Sequence, residues 1–333
     1  MTQEEINENF RNPEESNQDY EEVTEILHRI KEECGTVIVG QEELLDMMMI
    51  SILCDGHILL EGVPGIAKTL SARVLSKCMD AGFSRIQFTP DLMPSDILGT
   101  TIYNMKDHLF TFVKGPVFSN FILIDEINRA PAKTQSALFE VMEERQVTFD
   151  NKEYPMEFPF IIIATQNPVE HEGTYRLPEA QLDRFLMRIQ LDYPSDREEI
   201  TMLERFKSTM SKPDISHIRK ICGKEDLRMM QKSVSGVYVD QKILHYIVEI
   251  ARETRLNPQI FLGASPRASL ALMRTAKAMA FISGRNFVIP EDVQNVCYHV
   301  LNHRIILSPE TEMKGIQTKQ VLEEIIRKTE LPR

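Results

Sequence analysis

Short apolar runs alternate with amphipathic segments in the first part of the chain. Three of these runs, at residues 57–60, 121–124 and 160–164, contain almost no polar side chains. Runs of this kind are typical of strands that are buried on both faces of a parallel sheet. After residues 193–196 the apolar period becomes helical, as it is in residues 242–251. The pattern therefore predicts an α/β domain built on a parallel sheet, followed by a helical domain.

The first apolar run leads into a glycine-containing loop and then into a helical segment. A strand, a loop and a helix in this order surround phosphate oxygens with N–H groups and with the positive end of the helix. Lys68 is predicted to contact the β- and γ-phosphates, and Thr69 to ligate Mg²⁺. Ala67 stands where glycine is usual, but alanine keeps the N–H, so phosphate binding should survive. The predicted nucleotide-binding residues here are Gly62, Val63, Pro64, Gly65, Ile66, Ala67, Lys68, Thr69 and Leu70.

Polar residues follow the other two apolar runs. Asp125 and Glu126 come directly after the second run, and Asn167 follows the third. The carboxyl ends of parallel strands form the sheet edge at which α/β proteins bind ligands. Asp125 is predicted to hold Mg²⁺ through a water, and Glu126 to orient or deprotonate the water that attacks the γ-phosphate. Asn167 is predicted to help hold that water, although an Asn-Pro pair is also an ordinary turn signal.

Amino-acid composition and charge disfavour several classes of protein. The 50 acidic and 38 basic residues give a net charge of −12, which disfavours binding to nucleic acid. No run approaches the roughly 20 apolar residues of a membrane span. The acidic start does not resemble a signal peptide, so a cytoplasmic location is expected. The five cysteines and eight histidines show no spacing of metal ligands or disulfides.

The chain is predicted to have three parts. Residues 1–17 are acidic and have few apolar anchors, which predicts a disordered tail, with a helix expected to start near Gln18. Residues 18–195 are assigned to the α/β nucleotide-binding core and residues 196–333 to the helical domain. In a chain of 333 residues, each of these two domains is long enough to bury its own core.

The motifs and their order resemble those of AAA+ ATPases, and most closely those of the MoxR family. The resemblance extends roughly from Val37 to Asn302 and rests on residues 62–69, 125–131, 164–168 and 263–267, with further support from residues 182–185. It implies an α/β/α P-loop core, an all-α lid domain, and ATP and Mg²⁺ as cofactors. It also implies a homo-oligomeric ring, most often a hexamer, with each site shared between neighbouring subunits.

The resemblance assigns roles to individual residues. Lys68, Thr69, Asp125, Glu126 and Asn167 match the family positions that contact phosphate, Mg²⁺ and the attacking water. Val39, Gly40 and Gln41 match the family segment that lies along the adenine. Two arginines, Arg184 and Arg267, also match family positions.

The two arginines match different positions of the family. Arg267 matches the sensor-2 arginine, which would approach the γ-phosphate from the lid. Arg184 matches the arginine finger supplied to the adjacent subunit, a group that contributes on the order of 10³–10⁵ in rate. The alternative for Arg184 is a surface ion pair with Asp183 or Asp196. Arg129 has two open interpretations, at the subunit interface or in a local hydrogen bond.

Two segments are predicted to form β-hairpins. Residues 99–118 alternate around a tip at residues 104–107, and residues 145–154 alternate around Asp150 and Asn151. The first resembles the insert in helix 2 of the clade that contains MoxR proteins, in which such hairpins face the ring pore and handle substrate. The alternative is that both are ordinary extensions of the sheet.

The resulting functional hypothesis is an ATP-driven ring that remodels or assembles partner proteins. Family resemblance implies a client such as a metalloenzyme, or a partner with a von Willebrand factor A domain. One alternative is a nucleic-acid motor, which the acidic charge makes unlikely. The other is a nucleotide-sensing scaffold with little turnover, which the presence of both Glu126 and Arg184 disfavours.

Overall fold

The structure is a computed structural model that describes residues 13–63, 68–106, 108–167, 174–175, 177–207 and 214–332. Its helices in chain order are α1 Pro13–Gly35, α2 Glu42–Leu53, α3 Lys68–Cys78, α4 Pro94–Leu98, α5 Ala132–Glu144, α6 Glu179–Leu182, α7 Asp196–Phe206, α8 Lys224–Gly236, α9 Gln241–Leu256, α10 Pro266–Ile282, α11 Pro290–Leu301, α12 Pro309–Met313 and α13 Thr318–Lys328. Its strands are β1 His57–Gly62, β2 Phe83–Gln87, β3 Gly99–Asn104, β4 Leu109–Lys114, β5 Phe121–Asp125, β6 Gln146–Phe149, β7 Lys152–Pro155, β8 Ile161–Gln166, β9 Phe185–Leu191, β10 Ile260–Leu262 and β11 Ile306–Leu307.

Five strands form the central sheet, in the order β2-β5-β8-β1-β9, and all neighbours pair in parallel. The three apolar runs of the sequence are the three inner strands β5, β8 and β1, which confirms that they are buried. Because parallel neighbours must be joined by crossovers, helices cover the sheet. The carboxyl ends of all five strands lie at one edge, and their amino ends at the other.

Hydrophobic cores form on both faces of the sheet. Side chains alternate along a strand, so Ile58 and Leu60 join the core that includes α1, α2, α3 and the lid, while Leu59 joins the core beneath α5. All three side chains are fully buried. The result is the predicted α/β/α sandwich followed by a helical lid. The lid also contains a short antiparallel ribbon, β10 with β11, that the sequence did not predict.

Both predicted hairpins are confirmed. Strands β3 and β4 pair antiparallel from Gly99 opposite Lys114 to Asn104 opposite Leu109, and β6 pairs with β7 in the same way. Asp150 and Asn151 both have positive φ at the tip of the second hairpin, as a two-residue turn of this kind requires. Residue 107, at the predicted tip of the first hairpin, lies outside the described residues.

The first helix begins earlier than expected. It starts at Pro13, not near Gln18, so residues 13–17 of the predicted disordered tail are helical. Proline suits the first position of a helix because that position needs no N–H. Residues 1–12 lie outside the described part of the chain. Among the helices that the structure describes, none is long and apolar enough to cross a membrane.

The lid docks on the outer edge of β9, the last strand of the sheet. Three consecutive side chains, Asn302, His303 and Arg304, donate hydrogen bonds to backbone carbonyls of this strand. The accepting oxygens, at 2.7 to 3.1 Å, belong to Phe185, Leu186 and Arg188. An edge strand otherwise leaves such groups unpaired. The lid therefore takes the place of a sixth strand.

Arg304 also binds a carboxylate within this contact. Its Nε donates to Asp183 Oδ1 at 2.7 Å, and its side chain is only 4% exposed. Burial lowers the pKa of the Arg304 guanidinium, and the Asp183 carboxylate counteracts part of that effect. The pairing ties the end of α11 to the residues that precede β9.

A buried histidine stands at the amino end of β1. His57 Nε2 donates to the carbonyl of Met142 at 3.2 Å, and Nδ1 accepts from the Ile162 N–H at 3.0 Å. The second bond requires a neutral ring, because Nδ1 can accept only when its hydrogen is absent. The pKa of His57 is lowered to about 4, mainly by burial and to a smaller extent by the Arg145 charge, while the Met142 carbonyl opposes the shift. His57 thus joins β1, β8 and α5 at this edge of the sheet.

Candidate functional site

The phosphate loop begins at the carboxyl end of β1. Gly62 ends the strand and α3 starts at Lys68, so Lys68, Thr69 and Leu70 form its first turn, in the predicted order of strand, loop and helix. Pro64, Gly65, Ile66 and Ala67 lie outside the described residues. Lys68 Nζ donates to the Gly62 carbonyl at 2.8 Å, so the lysine folds back across the loop.

Burial and nearby charges act on the pKa of Lys68 in opposite directions. Burial lowers the pKa of Lys68, and the negative charges of Asp125, Glu126 and Glu61 raise it in opposition. The ammonium group is therefore close enough to the carboxylates at the ends of β1 and β5 for their charges to act on it. A cation held in this position is suited to phosphate oxygens.

Asp125 and Glu126 share one hydroxyl as a partner. Thr165 Oγ1, at the end of β8, donates to Asp125 Oδ1 at 3.2 Å and accepts from the Glu126 N–H at 3.0 Å. Asp125 is buried as the last residue of β5, whereas Glu126 follows in a left-handed conformation with φ 57°. Thr165 thus ties the end of β5 to the end of β8.

The Glu126 carboxylate is held from two sides. Its Oε2 accepts from Gln87 Nε2 at 2.8 Å and lies 2.9 Å from Arg129 Nε. The structure therefore shows Arg129 in a local contact with the Glu126 carboxylate; a place at the subunit interface stays a prediction. Both contacts are made to the same carboxylate oxygen, Oε2.

Asp125 also has a cationic neighbour that the sequence did not reveal. Arg85 Nε, on β2, lies 2.5 Å from Asp125 Oδ2. The same guanidinium reaches Gln87 Oε1 at 3.4 Å. Both acids of the site are thus held by side chains from β2, which pairs with β5 at the border of the sheet.

Asn167 lies at the same edge as these acids. It follows β8 directly, is buried, and β8 pairs with both β5 and β1. The prediction that its strand neighbours the Asp125 strand is confirmed. The structure therefore brings Lys68, Asp125, Glu126 and Asn167 to one edge of the sheet.

The predicted adenine segment, residues 39–41, packs against the start of α7. Gly40 and Gln41 both have positive φ, 67° and 61°. A β-carbon on Gly40 would stand 2.4 Å from Glu198 Oε1, so only glycine fits without displacement of that carboxylate. Glu198 in turn accepts hydrogen bonds from the N–H and hydroxyl of Ser195 at the helix start. Val39 precedes this contact.

A polar network joins the phosphate-loop strand to the lid. Glu61, the residue before Gly62, is buried and accepts hydrogen bonds from Arg188 Nε at 3.1 Å and Gln190 Nε2 at 3.0 Å. The hydroxyl of Tyr298, on α11, donates to Gln190 Oε1. The end of β1 is thereby linked to the lid through β9.

Arg184 lies at the opposite edge of the sheet. It precedes β9, whose first residue, Phe185, pairs with His57 at the start of β1. Arg184 contacts Glu143 Oε2 at 2.6 Å and the Phe139 carbonyl at 2.5 Å. It therefore has an ion pair, but with neither Asp183 nor Asp196. One strand of six residues, about 20 Å, separates it from its own phosphate loop.

Arg267 lies beside Arg184 and not at its own phosphate loop. Its Nη1 lies 3.5 Å from Asp183 Oδ2, and its side chain is 60% exposed. Both arginines line one cavity of about 440 Å³, which also contacts His57 at the amino end of β1. The structure therefore does not bring Arg267 to the phosphate loop of its own chain, and its approach to a γ-phosphate from the lid stays a prediction. The docking of the lid on β9 places α10 at this edge.

Comparisons with known proteins agree with this geometry. A family profile described as "ATPase family associated with various cellular activities (AAA)" matches residues 57–187, and one described as "AAA lid domain" matches residues 252–325. The Mycobacterium tuberculosis protein named Chaperone MoxR1 is 42% identical over 315 residues, which cover 92% of this chain and 82% of that protein. The chain belongs to the MoxR family of AAA+ ATPases.

Other MoxR-like proteins and one solved structure support the assignment. The uncharacterized protein YeaC of Bacillus subtilis is 45% identical and covers 94% of this chain and 97% of its own length. Protein MoxR of Paracoccus denitrificans is 32% identical over 83% of this chain and 87% of its own length. A crystal structure from Cytophaga hutchinsonii, provisionally described as an ATPase, is 45% identical, with a TM-score of 0.89 over 96% of this chain and 99% of that one.

The donor groups at this MoxR-family site fit a hard cation. A threonine hydroxyl at the start of α3 and the Asp125 carboxylate are oxygen ligands, which Mg²⁺ prefers, usually with waters and substrate phosphates completing its shell. Within the described ranges, no group of three or more His, Cys, Asp or Glu residues could hold a metal without such help. The five cysteines are all buried as free thiols.

Proposed function

We propose that this MoxR-family protein hydrolyses ATP at the carboxyl edge of its sheet. The observation that carries the proposal is the convergence of Lys68, Asp125, Glu126 and Asn167, supplied by α3, β5 and β8, on one edge. Phosphoryl transfer requires positioning and charge stabilisation more than covalent chemistry. A cation for the phosphates, a metal-binding acid and a base for water are the groups that this reaction uses.

Each residue has a separate part in the proposed reaction. Lys68 binds the β- and γ-phosphates, and Thr69 and Asp125 would hold Mg²⁺, which neutralises charge on the transferred phosphoryl group. Glu126 orients and deprotonates the attacking water once it leaves Gln87 and Arg129. A base must reach hydrogen-bond distance of the proton that it accepts.

The site is completed by a neighbouring subunit. Arg184 and Arg267 line one cavity at the edge opposite their own phosphate loop, so neither reaches the γ-phosphate of its own subunit. In a homo-oligomeric ring, most simply a hexamer, that face of one subunit meets the phosphate loop of the next. Two guanidinium groups at the γ-phosphate would stabilise charge that grows in the transition state.

Hydrolysis is proposed to drive chaperone-like work on a partner protein. The β3–β4 hairpin carries exposed apolar side chains on both strands and at its turn, among them Met105, Leu109 and Phe110. Contiguous exposed apolar groups mark surfaces that contact other proteins. The name of the mycobacterial relative, a chaperone, agrees with this use. A metalloenzyme or a von Willebrand factor A domain protein is the expected kind of partner.

Two substitutions test the chemistry. Glu126→Gln keeps the shape of the side chain but removes the base, so we expect ATP affinity near that of the wild type and turnover reduced by about 10²-fold or more. Lys68→Ala should weaken ATP binding itself. Nucleotide titration and steady-state ATPase rates measure the two effects. Wild-type turnover in Glu126→Gln would exclude Glu126 as the base.

Mixed rings test which subunit supplies each arginine. Arg184→Ala and Arg267→Ala should each recover partial ATPase activity when mixed with Lys68→Ala, because some interfaces then pair an intact phosphate loop with an intact arginine. Arg184→Ala mixed with Arg267→Ala should not recover, since every neighbour lacks one arginine. Recovery in that last mixture, with subunit exchange confirmed, would show that Arg267 acts within its own subunit.

A further inference from the structure

The ion pair between Arg85 and Asp125 has no part in the proposed hydrolysis of ATP. Arg85 Nε lies 2.5 Å from Asp125 Oδ2, and Thr165 occupies the other oxygen, Oδ1. The Asp125 side chain is 12% exposed, while that of Arg85 is 54% exposed. One end of the pair is therefore fixed in the site, and the other lies near solvent.

The position of Arg85 allows it to move. It is carried by β2, which ends the sheet and has a strand neighbour only in β5. The contact of its guanidinium with Gln87 Oε1 is long, at 3.4 Å. Release of the guanidinium to solvent would therefore cost one ion pair and would disturb no packed core.

The charges of Arg85 and Mg²⁺ are in conflict. Both are cations, and both would bind the same carboxylate a few ångströms apart, where repulsion is large because screening is incomplete. Either the guanidinium leaves, or the metal binds weakly. The negative phosphates of ATP offset this repulsion, whereas free Mg²⁺ brings no such charge.

We propose that Arg85 is a positioning residue that keeps Asp125 from binding divalent metal until a nucleotide supplies negative charge. The inference rests on the proposed role of Asp125 as the metal-binding acid. Gln87 extends the arrangement, because it contacts Arg85 through Oε1 and Glu126 through Nε2. One strand, β2, thus holds both acids of the site.

Metal affinity, measured without turnover, tests the proposal. Mn²⁺ is titrated into full-length protein without nucleotide and, separately, with saturating ADP, and the free ion is followed by its paramagnetic resonance signal after correction for ADP alone. Arg85→Gln removes the charge and should bind Mn²⁺ about tenfold more tightly without nucleotide, with a smaller gain when ADP is bound. Arg85→Lys keeps the charge and should stay close to the wild type.

A control substitution at another ion pair and a substitution of Asp125 separate the possible outcomes. Arg219→Gln breaks another arginine ion pair, with buried Glu33 in α1, and should leave Mn²⁺ affinity unchanged. Asp125→Asn should weaken Mn²⁺ binding, and failure to do so would overturn the metal role of Asp125 together with this inference. If Asp125→Asn weakens Mn²⁺ binding but Arg85→Gln leaves Mn²⁺ affinity unchanged or lowers it, the Arg85 inference alone is overturned.

The magnesium dependence of ATPase activity gives an independent readout. If Arg85 opposes metal binding, Arg85→Gln should lower the Mg²⁺ concentration for half-maximal activity, whatever happens to the maximal rate. If Arg85 only ties β2 to β5, the substitution should lower thermal stability and leave that concentration unchanged. The second result would refute the inference.

Discussion

His57 should make this fold sensitive to mild acid. The buried ring is neutral, with Nε2 donating to Met142 and Nδ1 accepting from the Ile162 N–H. A protonated ring would carry a hydrogen on Nδ1, which would point at another N–H donor and would bring a charge into the core. Folding therefore favours the neutral form.

The size of the effect follows from the two pKa values. Burial lowers the pKa of His57 from 6.5 to about 4 in the folded protein. Because the folded value lies below the unfolded one, the stabilisation is complete above the unfolded pKa and is lost as pH falls toward the folded value. Between about pH 7 and about pH 5 the expected loss is roughly 2 kcal/mol of unfolding free energy.

Urea unfolding of the wild type and of His57→Gln, measured at several pH values, isolates this contribution. The glutamine variant does not titrate at this position, so the difference in unfolding free energy should shrink by about 2 kcal/mol over that range. Other acid-sensitive groups, such as buried His303, are common to both proteins and cancel. Exposed His245 provides the control, and His245→Gln should follow the wild type. Parallel pH profiles for wild type and His57→Gln would refute the reasoning.

Two further predictions concern the lid contact and the adenine segment. Arg304→Ala leaves the Asp183 carboxylate and several carbonyls without their donor, so calorimetry should show a loss of about 3–5 kcal/mol in the free energy of unfolding. Arg252→Ala, at an exposed arginine, should lose less than about 1 kcal/mol. Equal losses in the two variants would contradict the buried pairing. Gly40→Ala places a β-carbon 2.4 Å from Glu198 Oε1, so nucleotide titration should show ATP affinity lower by about tenfold. Gly236→Ala, which has open space, should not change it.

The positions of the candidate site residues that follow strands were predictable because each depends on a local pattern. An apolar run followed by Asp125 and Glu126 predicts both the strand and the edge at which the acids lie. The same reasoning predicted the place of Asn167 after β8. Neither inference needs knowledge of distant contacts, and the structure confirms both placements.

The arginine partners were not predictable in this way. Arg85 reaches Asp125 only because β2 lies beside β5, and nothing within the sequence of either strand specifies that order. Arg267 was expected to approach the γ-phosphate from the lid, but the place of its side chain depends on how the lid docks on β9. That docking comes from three side chains at residues 302–304, whose hydrogen bonds span more than a hundred positions of the chain.

The lid that covers β9 has a consequence for handling the protein. If the core were produced without the lid, the outer edge of β9 would lose the donors of Asn302, His303 and Arg304. The strand is apolar along most of its length, and an exposed edge of that kind is a template for pairing with another copy. A core without its lid should therefore precipitate through intermolecular strand pairing, and its insolubility would say nothing about whether its ATP site is correctly formed.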